Sequence, residues 1–200
     1  MRIQDLANVD GANKLRLALG LDEDQVSKIQ TLVSSMAGSN PHIKNTYVGK
    51  AAPGVSFYDF KNDKLGIGHK SSDVLAHEMG HAASLADASD LYKGFLRASK
   101  RAARFSNVAA LPIATFLSMN PGMSIEQKNK ALNIATAVSA GLTVPNLLEE
   151  LKASGRAVYH SPTKLRTGAA MIPGMLSHSY NDLSAPATYY LATKLLKEEP

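Results

Sequence analysis

The 200-residue chain has no cysteine. That excludes disulfides and thiolate-ligated metal sites. Any bound metal must be held by His, Asp or Glu, a donor set that favours a catalytic over a structural site. No secretory signal is visible and none is expected, because Met1-Arg2 is followed by Gln4, Asp5 and Asn8 rather than by an apolar core. Two stretches are mildly membrane-like, to be weighed against the about 20 mostly apolar residues that a spanning helix needs. Residues 105–119 are short and carry Ser106, Asn107 and Pro112; residues 131–148 carry Asn133, Thr136, Ser139 and Thr143. Both read as buried helices of a soluble domain, with a membrane hairpin as the alternative. Internal repeats and low-complexity tracts are absent. The expectation is a protein that is cytoplasmic or peripheral to a membrane, with a virion as a further setting.

Charge of one sign is in modest excess, at +5. The basic residues concentrate in Lys93, Arg97, Lys100, Arg101 and Arg104. A solvated helix face is the plain reading, and contact with anionic lipid or nucleic acid is the sharper one. Phe95 is the one aromatic residue within this run, short of the repeated interleaving of single-strand binders, so no nucleic-acid partner is expected. An apolar fraction of 44% is ordinary for a folded chain and too high for disorder. The length suits one domain.

What is present is a metal-binding pattern. His77-Glu78-Met79-Gly80-His81 lies in an apolar, small-residue run that reads as helix. Residues four apart on a helix share a face, so both imidazoles can aim at one point. Zinc takes imidazole nitrogen at about 2.0–2.1 Å and in catalytic sites has three protein ligands. Glu78 lies beside such an ion, where it can take a proton from water and pass it to a leaving amine. At these His and Glu frequencies the pattern arises by chance in roughly one such chain in 150. The flanking Val74, Leu75, Met79, Ala82, Ala83 and Leu85 mark the helix as buried. A buried His-Glu-His cluster without a metal would carry costly unpaired polar groups.

Around this helix the chain reads as mainly α, in the α+β class. Residues 3–19 form a weakly periodic helix broken near Asp10-Gly11 and stopped by Gly20. Asp22 caps a second helix whose face is Val26, Ile29, Leu32, Val33 and Met36. Residues 1–40 are thus a helical pair that packs on the core of a single domain, residues 1–200. Residues 39–56 read as loop. Residues 55–60 and 65–68 flank a polar turn and read as a hairpin. Its second strand leads into the His77 helix, where an exposed edge could pair with an extended peptide. Gly66 and Gly68 leave room for close backbone approach. Ser71 or Ser72 can cap the His77 helix, which runs to about residue 86. Residues 91–104 and 108–119 read as two helices. Ser124 and Gln127 make a capping box for a helix that Gly141 ends, and Pro145 suits the first turn of the next.

Two residues compete as third ligand. Asp87 stands where one extended pattern places its last ligand, but that pattern needs a Gly turn where this chain has Ser84. Glu149 has Lys152 at i+3 and Arg156 at i+7, which reads as a solvated, salt-bridged face. Glu150 has Ala153, Ser154 and Ala157 at i+3, i+4 and i+7. These small side chains would let its helix approach the His77 helix closely, so periodicity favours Glu150.

The three segments His77 to Ala82, Glu150 to Ala157 and Ala185 to Ala192 together resemble the bacterial neutral zinc metallopeptidases. The resemblance extends over residues 63–157 and 183–196. It implies a zincin-like helical fold with a small β-hairpin or sheet beside the metal, and Zn2+ held by His77, His81 and Glu150. Glu78 is implied as general base. Lys152 departs from the family, which tends to have Asp there; the apolar helices, membrane-spanning in character in the family, are diluted here with Asn, Ser and Thr. The Thr188-Tyr189 echo makes Tyr189 the first choice to stabilise the oxyanion, ahead of Tyr159, His160 and His178. His69 reads as a surface turn residue. The expected function is a zinc metallopeptidase acting on a peptide or protein substrate. The alternative is a non-catalytic, metal-stabilised structural or interaction protein, such as a virion or membrane-complex component.

Overall fold

A computed structural model of the chain describes residues 1–86 and 88–198, with the side chains of 173–179, 181, 182, 197 and 198 excepted. Among these residues the protein is mainly helical with one small mixed sheet. Two compact units divide it. The first joins Met1–Lys93 to Glu149–Gly174, and the second joins Gly94–Leu148 to the chain from Met175 onward.

In the first unit, helices α1 (Ile3–Leu6) and α2 (Val9–Leu19) precede α3 (Glu23–Ser39). The break falls at Ala7-Asn8, not at Asp10-Gly11. Gly11 sits inside α2, where a Cβ would lie 1.9 Å from the Asp5 carbonyl oxygen. Glycine therefore serves the close approach of α1 rather than a break. Gly20 ends α2 with φ 65°, as a helix stop should. Asp22 and Gln25 form a reciprocal capping box on α3, which buries Ile29, Leu32, Val33 and Met36.

A short 3₁₀ turn (Pro41–Asn45) leads into β1 (Tyr47–Lys50), so the stretch expected to be loop contains a strand. β2 (Phe57–Asp59) and β3 (Lys64–Ile67) form the expected hairpin, with Tyr58 opposite Leu65. Asp63 turns it in the left-handed region, φ 47°, and accepts hydrogen bonds from Thr46 and Tyr58 at 2.8 and 2.9 Å. The sheet order is β1-β3-β2, and β1 pairs parallel to β3. The strand leading to the His77 helix is therefore central and cannot take a peptide. Residues 1–3 cover the far edge of β1 through Val48 N–H to Met1 O at 2.7 Å and Ile3 N–H to Thr46 O at 3.0 Å. That leaves β2 as the uncovered edge among the described residues. The space at Gly66 is filled by the Phe57 ring.

Helix α4 (Ser72–Leu85) follows, with Ser71 as its cap: the Asp73 N–H donates to Ser71 Oγ at 3.2 Å. It packs on α3 and on β2 and β3. Two long helices replace four shorter expected ones. α5 (Asp90–Met119) is continuous through 105–107, and α6 (Ile125–His160) runs through both Gly141 and Pro145. Pro145 deprives the Gly141 carbonyl of its donor. Ser99 Oγ donates to Leu142 O at 2.5 Å and Thr143 Oγ1 to Ala140 O at 2.8 Å, on either side of it. Ser124 and Gln127 cap α6 as expected. The last helix is α7 (Lys164–Glu198).

Within the first unit α4 and the Glu149-to-His160 part of α6 touch backbone to side. A Cβ on Gly80 would lie 2.2 Å from the Ala153 carbonyl oxygen. Ala153 and Ala157 are fully buried at this contact. Gly80→Ala is expected to destabilise the protein by about 1–3 kcal/mol through overpacking. Gly94, inside α5 with nothing near its missing Cβ, is the control: Gly94→Ala should stabilise by about 0.4–1 kcal/mol. Chemical denaturation of both variants checks the pair.

Candidate metal centre

His77 and His81 project from α4 one turn apart, their rings 4.7 Å between centroids and nearly perpendicular. The close approach at Gly80 brings Glu150 of α6 against them. Three atoms then form a nearly equilateral triangle. His77 Nε2 to His81 Nε2 is 3.2 Å, His77 Nε2 to Glu150 Oε2 is 3.2 Å, and His81 Nε2 to Glu150 Oε2 is 3.3 Å. An ion bound tetrahedrally at zinc-like distances needs ligand atoms about 3.3 Å apart. The three residues are placed so that they could hold a metal ion.

The far ring nitrogens support the same assignment. Ser154 Oγ lies 3.2 Å from His77 Nδ1. Glu149 Oε1 lies 3.5 Å from His81 Nδ1, an ion-pair contact somewhat longer than a closed hydrogen bond. Both imidazoles can thus donate Nδ1–H outward and turn the Nε2 lone pair toward the triangle. Glu149, Glu150 and Ser154 all come from one short stretch of α6, about one and a half turns long.

Glu149 corrects the sequence expectation. It is only 2% exposed, and neither oxygen has a hydrogen-bond partner among the described residues. The expected helix-surface partners are engaged elsewhere: Lys152 lies over the Tyr92 ring, 5.7 Å from its centroid, and Arg156 donates to Asn40 at 3.2 Å. A carboxylate buried this deeply is costly without positive charge nearby. His81 and an ion on its far side are the source the geometry offers. Without an ion, burial opposes the charge on His81, but Glu149 and Glu150 outweigh it and push its pKa up to about 9.

Glu78 is half-buried, close enough to raise the His81 pKa further. It makes no hydrogen bond or ion pair among the described residues. Tyr189 is 3% exposed in the second unit, within an apolar cluster with Leu132, Ala185 and Leu196. Tyr159 is 70% exposed, with Lys164 over its ring. His160 Nδ1 contacts Ser35 Oγ at 3.0 Å, and burial followed by the Arg156 charge lowers its pKa. His69 is an exposed turn residue whose Nδ1 accepts from Ser71 N–H at 3.1 Å, as expected. Asp87 and the His178 side chain lie outside the described residues.

Glu149 and Ser154 are the site residues that sequence reasoning misses. From the sequence Ser154 is only a small side chain permitting close approach. The available signal is their spacing from Glu150, at i−1 and i+4.

No protein-family model, curated protein or solved structure matches this chain.

Two outcomes follow. Glu149→Leu should weaken metal binding by about 10–100-fold, and Ser154→Ala should act in the same direction, as removal of outer-sphere partners does; competition with a chelating dye measures both. In the metal-free protein the raised His81 value adds stability that is complete below its ordinary 6.5 and is lost as pH climbs through about 9. Metal loading at neutral pH should therefore release a proton, seen as a heat that changes with the ionisation enthalpy of the buffer.

Proposed function

We propose that the protein is a zinc-dependent peptide hydrolase. One observation carries the reading: two imidazoles and a carboxylate converge in a triangle of zinc-like dimensions, with a separate carboxylate, Glu78, directly after the first ligand. His77, His81 and Glu150 would hold the ion. A divalent ion there supplies Lewis acidity, which polarises a peptide carbonyl and acidifies water.

The rest falls to the chain. Glu78 accepts a proton from the attacking water as its oxygen adds to the carbonyl carbon. It then returns that proton to the amide nitrogen as the C–N bond breaks, releasing a carboxylic acid and an amine. Glu149 and Ser154 hold the two imidazoles in the tautomer that leaves Nε2 free. An extended substrate would lie along β2, which packs on α4 and has no strand on its far side among the described residues. This moves the substrate strand from the second hairpin strand to the first. Tyr189, whose side chain packs in an apolar cluster of the second unit, stays our first choice as oxyanion donor.

A structural ion would have no use for Glu78, which is what favours hydrolysis over a metal staple. Glu78→Gln should retain the metal and lose about 10²–10⁴-fold in rate, the usual contribution of a positioned acid–base group. Cleavage of a casein-type substrate by the pure protein, with and without chelator, provides the measurement. Full activity of the zinc-loaded Glu78→Gln protein would defeat the mechanism. Stoichiometric zinc without any chelator-sensitive cleavage would favour the structural alternative.

A further inference from the structure

The second unit keeps few of its large apolar side chains inside. Leu132, Tyr189 and Leu196 are buried together with the small Ala110, Ala114 and Ala185, and Ser106 and Ser139 hydroxyls meet at 2.9 Å. Many more large apolar side chains point outward, on all three helices. Val108 is 80% exposed, and Leu111, Phe116, Met119, Ile134, Val138, Leu191 and Leu195 are also open. The most apolar window of α6 is only 22% buried, which corrects the expectation of a buried helix. Small residues and hydroxyls between helices, with large apolar residues outside, are the packing pattern of helices in lipid. Water would penalise so extended an apolar surface.

Charge is arranged to match. At 100° per residue, Lys100, Arg101 and Arg104 fall on the same face of α5 as Val108, Leu111 and Met119. One stripe is thus basic in its first part and apolar in its second. No charged residue occurs from 105 to 125. Between α5 and α7 lies a groove of about 580 Å³ lined by Leu111, Ala114, Met119, Leu191 and Leu195. Residues 105–118 rise about 20 Å along the helix, short of the about 30 Å hydrocarbon core. α6 is long and apolar enough to cross by length and composition alone, so it is the short apolar length of α5 that suits this face to entry from one side.

We propose that the second unit binds the surface of an anionic lipid bilayer. The α5–α7 face enters the acyl region, and Lys100, Arg101 and Arg104 meet headgroup phosphates. A protein partner is the lesser fit, because it would cover one face, whereas apolar side chains stand out on all three helices. The inference is independent of the metal centre.

Flotation of the full chain with vesicles tests it. Binding should be strong to phosphatidylcholine mixed with phosphatidylglycerol and much weaker to phosphatidylcholine alone. Lys100→Gln/Arg101→Gln/Arg104→Gln should weaken binding to the mixed vesicles roughly a hundredfold, from the usual contribution of each basic residue near an anionic surface. The chain contains no tryptophan, so Leu191→Trp gives an independent reading; its indole emission should shift to the blue when mixed vesicles are added. Three results would overturn the proposal. They are a folded chain that ignores both vesicles, binding that the triple substitution leaves unchanged, and an emission shift in the Leu191→Trp chain that appears only on self-association or with a protein partner.

Discussion

The approach of α4 to the last third of α6 sets everything else in the metal centre. At Gly80 the two helices are so close that no side-chain carbon fits between the backbone of one and the Ala153 carbonyl of the other. Had the helices stood at an ordinary separation, Glu150 would not reach the two imidazoles. The same contact decides what surrounds the ligands. A wedge this tight takes in more than one residue of the incoming helix, so Glu149 and Ser154 arrive with Glu150 and fall against the outer nitrogens of His81 and His77. One short stretch of helix therefore delivers both a candidate ligand and the groups placed to orient the other two.

The energetic balance in that stretch is unfavourable unless it is neutralised. Glu149 and Glu150 are adjacent and both are below one-tenth exposed. Two carboxylates at such burial repel each other and lose hydration. A protonated His81 can compensate in part, which is why its pKa rises. A divalent ion compensates more fully and lets both histidines be neutral donors. The donor set, the distances and the buried carboxylate all ask for the same positive charge.

Much of this is legible in the sequence, and the exceptions have physical causes. The i, i+4 histidines and the small residues at 153, 154 and 157 identify both helices and the candidate ligand Glu150. Ser71, Asp22 and Ser124 are readable as caps because capping depends on neighbours in sequence. Glu149 misleads because Lys152 and Arg156 stand at the spacing of a solvated ion-pair face, while in the fold these bases turn to Tyr92 and Asn40. Adjacent helix positions are 100° apart, and a close crossing can bury both. The continuity of α6 is hidden because Gly141 and Pro145 normally stop a helix. Ser99 and Thr143 hydroxyls compensate there, and only the Ser99 contact is distant in sequence. β1 escapes notice because its partner, β3, is already accounted for by the hairpin. The outward-facing apolar residues of the second unit are visible as composition, but which way they face is not.

X-ray absorption at the zinc edge of the metal-loaded protein tests the central claim most directly. The account predicts one tightly bound zinc with two imidazole nitrogens and a carboxylate oxygen at about 2.0–2.2 Å, and loss of the carboxylate contribution in Glu150→Ala. A spectrum with no imidazole scattering, or one that Glu150→Ala leaves unchanged, would contradict it.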